Sequence, residues 1–139
     1  MMRFGRLSLV ILAVASAAFL LVGQFPLSSI LFRRYVASPI PSSVSHVRFE
    51  SQSLILEPVV CFRFSISSED FVGIVTREGY GKATDVGVFL NGVGSGPAWW
   101  NPYPVIERGE LYRSKAGEGR GYLYYNRSLS IAYYLYWGI

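Results

Sequence analysis

Residues 121–138 read GYLYYNRSLSIAYYLYWG, and this stretch decides the fold. Two runs rich in aromatic and aliphatic residues flank the polar segment that begins at Asn126, a pattern typical of two antiparallel strands joined by a short turn. We predict strands over Gly121–Asn126 and Ser130–Trp137. Hydrophobic residues occupy both sets of alternate positions on the second strand, which predicts that both faces of the sheet are covered.

Upstream of this hairpin, VVCFRFSI at Val59–Ile66 is the clearest further strand. Every second residue from Val60 is apolar, while Arg63 and Ser65 lie on the opposite face. The chain has a single cysteine, Cys61, so no intrachain disulfide can form and the domain depends on its apolar core. Because Cys61 lies inside the strand pattern, we interpret it as a small packed residue.

A short amphipathic helix is predicted over Glu69–Glu78, directly after that strand. Ser67 or Ser68 can cap its amino end, and acidic residues occupy the first turn, where the helix dipole favours negative charge. Apolar residues then recur at helical spacing, and Gly79 suits the end of the helix.

The remaining segments complete an α+β domain over residues 46–139, a small antiparallel sheet with one short helix packed on it. Gly81–Thr84 and residues 91–97 have the composition of flexible turns. Further strand patterns cover Val47–Glu50, Asp85–Leu90 and ELYRS at residues 110–114.

An uncharged segment at the amino end, Leu7–Phe25, has the length and composition of a membrane-spanning helix. At the rise of an α-helix it reaches about 28 Å, close to the hydrocarbon thickness of a bilayer. We therefore predict that residues 1–34 form an N-terminal transmembrane anchor with basic flanks. Residues 35–45, YVASPIPSSVS, are predicted to be a Pro/Ser linker that keeps the chain extended.

Two other interpretations of the apolar segment stay open. Its start resembles a signal peptide that is cleaved after Ala17, although cleavage there would expose an apolar amino terminus. A buried helix of a soluble domain is the third interpretation, but the segment has no polar face to meet water. Arginines flank both ends, so the charge rule barely discriminates orientation. The likeness to a signal peptide favours a single-pass protein of the cell membrane with an extracytoplasmic domain.

Charge and motifs exclude several classes of function. The formal net charge of +4 comes from four arginines in residues 1–34, because the rest of the chain carries nine basic and nine acidic residues. A neutral domain argues against nucleic acid as a partner. The Gly92–Gly96 loop and the segment from Gly81 lack the spacing of nucleotide-binding loops, and His46 is the only histidine. We predict no catalytic, cofactor-binding or metal-binding residues.

Aromatic residues are the feature with most functional content, 22 in all. Trp99, Trp100 and Tyr103 form a cluster in WWNPY, and such side chains combine a flat apolar body with a polar tip. Two interpretations compete. The tryptophans close one end of a small core, with Pro102 fixing the turn, or they form a shallow platform for a glycan, a peptide or a partner protein.

The order of these motifs resembles a family. FRF (62–64), SSEDF (67–71), WWNP (99–102) and a hairpin that ends in YWG (136–138) are similar to small bacterial exported or membrane-anchored proteins with a Trp-Trp-x-Pro turn. The resemblance covers roughly residues 40–139 and implies a bacterial envelope protein. That group has no established activity, so the resemblance implies no functional residues.

These observations support three hypotheses of different classes. The first is a membrane-anchored, non-enzymatic binding or structural module of the bacterial cell envelope, which contacts a protein or glycan through Trp99, Trp100 and Tyr103. The second is an immunity-like or regulatory protein that blocks a toxin or an enzyme. The third is an envelope glycan-acting enzyme, for which Glu107 or Glu110 would have to lie in one cleft with Trp99.

Overall fold

The computed structural model describes residues 27–54, 57–84, 97–100, 109–114 and 119–138. Within these ranges the protein is an α+β fold with one six-stranded antiparallel sheet and two helices, which confirms the predicted class. The anchor segment Leu7–Phe25, the strand predicted at Asp85–Leu90, Tyr103 and Glu107 lie outside the described residues.

The sheet has the strand order β1-β2-β6-β5-β4-β3, and all its pairings are antiparallel. The last strand of the chain therefore lies in the middle, between β2 and β5. The elements in chain order are α1 (described over residues 27–35), β1 (Ser45–Leu54), β2 (Glu57–Ser65), α2 (Ser68–Arg77), β3 (Gly81–Ala83), β4 (Glu110–Arg113), β5 (Gly119–Asn126) and β6 (Ile131–Gly138).

The predicted closing hairpin is confirmed as β5 and β6. Asn126 is paired with Ile131 at its end, and four turn residues connect the two strands. The Oδ1 atom of the buried Asn126 accepts hydrogen bonds from the Leu129 amide at 3.0 Å and the Ser128 hydroxyl at 2.7 Å. A single polar side chain thus satisfies two donors of the turn and fixes the register of the strands.

Helix α2 also matches its prediction. Ser67 is the N-cap and accepts a hydrogen bond from the Asp70 amide at 3.2 Å. Phe71 and Ile74 are the buried residues of the helix, and the Phe71 ring stacks on Tyr125 of β5 with centroids 4.1 Å apart. The apolar side of the helix that the amphipathic spacing predicts is therefore the side that packs on the sheet.

A second helix on the sheet corrects the prediction of one packed helix. Phe32 of α1 is only 1% exposed and meets Phe62 and Phe64 in edge-to-face contacts, with centroid distances of 5.6 and 4.9 Å. Val36 and Ala37, which directly follow α1, are also buried in this core. The large apolar surface of Phe32 explains the packing, because its burial against the sheet stabilises the fold.

The Pro/Ser-rich segment 35–45 is joined to α2 by hydrogen bonds. The Ser43 amide donates to the Asp70 carboxylate at 3.2 Å, and the Ser43 hydroxyl accepts from the Ser67 amide at 3.1 Å. Arg77 donates to the Pro39 carbonyl at 3.1 Å. These bonds join the segment to both ends of α2, so it forms part of the covering of the sheet.

Buried tyrosines connect the end of α1 to the sheet. The Tyr80 hydroxyl donates to the Val36 carbonyl at 3.4 Å and forms a hydrogen bond with Tyr134 of β6. Burial raises the pKa of both phenols far above the ordinary value of 10.0. Both hydroxyls therefore stay protonated and act as hydrogen-bond partners in the core.

No helix within the described parts of the chain is long and apolar enough to span a membrane.

Candidate functional site

The two faces of the sheet have separate hydrophobic clusters. We call the side covered by α1 and α2 the helix face; it contains Phe62 and Phe64 of β2 and Tyr134 of β6. Because side chains alternate along a strand, the residues between them point to the other side. We call that side the aromatic face; its buried residues are Cys61, Leu111, Tyr122, Tyr124, Tyr133 and Leu135.

Two of the predicted binding residues, Trp99 and Trp100, lie on the aromatic face. Both are partly buried and pack against its cluster. Trp100 meets the ring of Tyr133 edge to face with centroids 5.3 Å apart, and Trp99 meets Trp100 at 6.0 Å. A turn holds them there, because the Trp100 amide donates to the Pro97 carbonyl at 2.7 Å. Each tryptophan thus packs on the core and keeps part of its surface exposed.

Arg63 extends this arrangement beyond the predicted residues. Its Nε atom donates to the Tyr133 hydroxyl at 3.2 Å, and its guanidinium carbon lies 5.9 Å from the centre of the Tyr133 ring. We name the set Trp99, Trp100, Tyr133 and Arg63 the aromatic row. Sequence reasoning missed Tyr133 and Arg63 as site residues. Their signal was the strand alternation, which assigned Arg63 to the face opposite Phe62 and Phe64.

A second arginine and tyrosine pair lies on the same face. The guanidinium of Arg113 is 6.0 Å from the centre of the Tyr122 ring. Arg113 and Tyr122 also line an open cleft of about 560 Å³, together with Ser114 and residues 81–84. The aromatic face therefore combines flat rings with cationic groups at two positions, a combination that suits polar or anionic ligands with apolar faces.

Gly109 allows the chain to approach this face closely. A Cβ atom at Gly109 would overlap the Tyr124 ring and hydroxyl, so only glycine fits there without a shift. Tyr124 also forms a hydrogen bond with the Gly109 backbone, while burial raises the pKa of Tyr124 to about 12. Gly109, the residue directly before β4, is thus held against Tyr124.

Cys61 is a packed residue, as its strand position predicts. It is free, 4% exposed, and lies within the aromatic cluster. Burial, with a smaller contribution from the Glu50 charge, raises the pKa of the thiol to about 12. A thiol that stays protonated at neutral pH is a poor nucleophile or metal ligand.

Glu110 does not join the tryptophans. It alternates with Leu111, a residue of the aromatic face, and its carboxylate accepts a hydrogen bond from Tyr112 at 2.8 Å. Lys82 donates to it at 3.4 Å. These partners, the Tyr112 hydrogen bond first, keep the pKa of Glu110 below its ordinary value.

The described residues do not form a recognisable metal-binding site. They contain no group of three or more His, Cys, Asp or Glu side chains that could hold a metal ion. His46 is exposed, and its Nδ1 atom lies 3.2 Å from the Ser45 hydroxyl.

Comparison of the chain with protein-family models, curated proteins and solved structures finds no match.

Proposed function

We propose that this protein is a membrane-anchored, non-enzymatic binding module of the bacterial cell envelope. In this proposal the apolar segment Leu7–Phe25 holds the chain in the membrane, and the aromatic row contacts a glycan or a protein on the extracytoplasmic side. The observation that carries the proposal is the partly exposed pair Trp99 and Trp100, which a turn and the ring of Tyr133 hold on the aromatic face.

The chemistry of the aromatic row supports a glycan or peptide as ligand. Indole rings present flat apolar surface to the faces of sugar rings or to apolar side chains, and they lose little conformational entropy on binding. The Arg63 guanidinium beside them can donate hydrogen bonds to hydroxyl or carboxylate groups. Since Tyr133 orients both Trp100 and Arg63, the row is fixed before a ligand arrives.

The enzyme hypothesis lacks its required cluster among the described residues. A carboxylate mechanism needs an acidic side chain in one cleft with the bound sugar. Glu110 is held on the other side of the sheet by Tyr112 and Lys82, away from Trp99. We therefore prefer binding without catalysis.

Binding through the aromatic row can be tested with the full-length chain, solubilised gently from membranes. Captured proteins and cell-wall glycans would be compared between the parent, Trp99→Ala and Trp100→Ala. The matched control is Val72→Ala, an exposed apolar residue of α2 on the helix face. We expect at least about tenfold weaker capture by both tryptophan variants, which corresponds to about 1.4 kcal/mol of binding free energy. Equal capture by all four proteins would refute the role of the tryptophans.

The membrane anchor can be tested independently. An uncharged segment of this length should keep the full-length chain in the membrane pellet after a carbonate wash. Recovery of the intact chain in the soluble fraction would refute the anchor. Capture of a toxin or enzyme that the protein inhibits would favour the immunity-like alternative over a structural binding role.

A further inference from the structure

The first strand, β1, presents a long edge of the sheet. It has ten residues, and within the described ranges it pairs only with β2. Among the strands that the structure describes, the opposite edge is β3, which has only three residues. An edge strand carries a row of backbone N–H and C=O groups that can pair with another strand, and a longer edge offers more of them.

The centre of β1 has a sequence that complements itself. Arg48 and Glu50 lie on either side of Phe49, so the two charges of opposite sign share one face of the strand. Arg48 is exposed and makes no hydrogen bond or ion pair with the part of the chain that the structure describes. Its register partner on β2, Arg63, carries the same charge and is bonded to Tyr133. The Arg48 guanidinium therefore lacks an acidic partner within this part of the chain.

Phe49, which separates these two residues in the sequence, lies on the opposite side of the sheet, the helix face. It is partly buried and stacks on Phe62 with centroids 5.9 Å apart. A second strand placed beside β1 would cover its remaining exposed surface. Aromatic pairs across neighbouring strands stabilise a sheet beyond the burial of their area.

We propose that two copies of this chain pair through β1, antiparallel, with Phe49 opposite Phe49. In this register Arg48 of each copy lies opposite Glu50 of the other, which gives two ion pairs related by the two-fold axis. A shift by two residues would place Arg48 opposite Arg48 or Glu50 opposite Glu50, and like charges destabilise such pairs. The charges thus select one register and oppose its neighbours.

This arrangement has a defined geometry. Residues directly opposite each other in antiparallel strands point to the same side of the sheet. Both helix faces would therefore lie on one side of a continuous sheet, and both aromatic faces on the other. β1 is irregular between Ser45 and Arg48, so regular pairing centred on Phe49 is confined to residues 48–50.

A charge exchange between Arg48 and Glu50 tests the register. Full-length chains with two different affinity tags would be co-produced, solubilised in mild detergent and co-purified, and their mass measured by light scattering. R48E gives two acids per strand and E50R gives two bases, so each variant should self-associate at least about tenfold more weakly than the parent. The double variant R48E/E50R restores complementary charges and should associate like the parent.

A mixture of the two single variants is the sharpest measurement. R48E chains and E50R chains should fail to pair with themselves but should pair with each other, because every acid then faces a base. Circular dichroism checks that each variant keeps the parent's fold, since both substitutions affect a strand at the edge of the sheet. A monomeric parent would overturn the proposal. So would equal self-association of all variants, which would assign the contact to another part of the chain or to a different register.

Discussion

The two faces of the sheet are closed in different ways. Two helices cover the helix face, and their buried side chains continue the periodic patterns of the sequence. On the aromatic face the tryptophans of a short turn pack over the cluster, and they remain partly exposed beside Arg63. Burial beneath regular helices makes the helix face a source of folding stability. A face covered by an irregular segment can keep rings and charges available to a ligand.

The largest effect is expected at the end of α1. Phe32→Ala should lower the free energy of unfolding by about 3–5 kcal/mol, because it removes a fully buried ring that contacts Phe62 and Phe64. Ile30 is the matched control: it lies in the same helix, is 61% exposed, and should change stability by less than about 0.5 kcal/mol on replacement by alanine. Urea denaturation of the full chain in mild detergent measures both. Equal, small losses would show that α1 does not close the helix face.

The pH dependence of the unfolding free energy tests how tightly the aromatic face is packed around Cys61. The Cys61 thiol has a pKa of about 12 in the folded protein and an ordinary value of 9.0, so the unfolded chain loses its proton first. Its contribution to stability is therefore constant below pH 9 and is lost as the pH rises. At about pH 10.5 the loss should reach about 2 kcal/mol.

The Cys61→Ala variant provides the control for this series. Its stability should fall less steeply with pH than that of the parent, because the thiol contribution is absent while buried phenols such as Tyr124 still contribute. Urea midpoints between pH 7 and about 10.5 measure the two slopes, over the range where the thiol contribution changes. Identical slopes would contradict the assignment to Cys61.

Alanine substitutions of the two tryptophans should show how much each ring contributes to the stability of the fold. Trp100→Ala should lower the free energy of unfolding by about 1–2 kcal/mol, because its ring packs on Tyr133. Trp99→Ala should lower the free energy of unfolding by less than about 1 kcal/mol, because the Trp99 ring meets Trp100 at the outer end of the aromatic row. Thermal midpoints of the two variants give the ranking. If both variants melt far below the parent, the tryptophans belong to the core and the aromatic row is not a binding site.

The smallest effect is expected at the bond between Arg63 and Tyr133. Tyr133→Phe removes the hydroxyl that accepts the Arg63 hydrogen bond and should cost about 0.5–1 kcal/mol. In an Arg63→Ala background the same change should cost less than in the parent, because the Arg63 hydrogen bond is already absent. Urea denaturation of the four proteins completes this cycle. Additive losses would mean that the two groups do not interact.

The parts of the fold that depend on periodicity and local turn chemistry could be predicted from the sequence. The hairpin of β5 and β6, the β2 strand, the cap of α2 at Ser67 and the antiparallel α+β class all follow from the order of residues along short segments. The second packed helix did not follow. Phe32 lies within residues 1–34, in the flank of the predicted membrane anchor, and apolar composition alone does not distinguish a lipid environment from a protein core.

The candidate site was predicted only in part. Trp99 and Trp100 were recognisable by their type, whereas Tyr133 and Arg63 join them through a pairing of β2 with β6 that connects positions 70 residues apart. Strand order is a property of the whole chain, so no local pattern specifies it. The turn predicted at Gly81–Thr84 contains strand β3 in the structure for a similar reason, because Gly81–Ala83 becomes a strand by pairing with β4.

The central position of β6 has a consequence for biosynthesis. A ribosome releases the chain from its amino end, so β1 and β2 emerge first and β6 last. Until residues 131–138 are available, the inner edge of β2 has no neighbour and the two halves of the sheet cannot join. Folding is therefore completed only after residues 131–138 have been released, and until then the hairpin of β1 and β2 exposes an unpaired strand edge that favours aggregation.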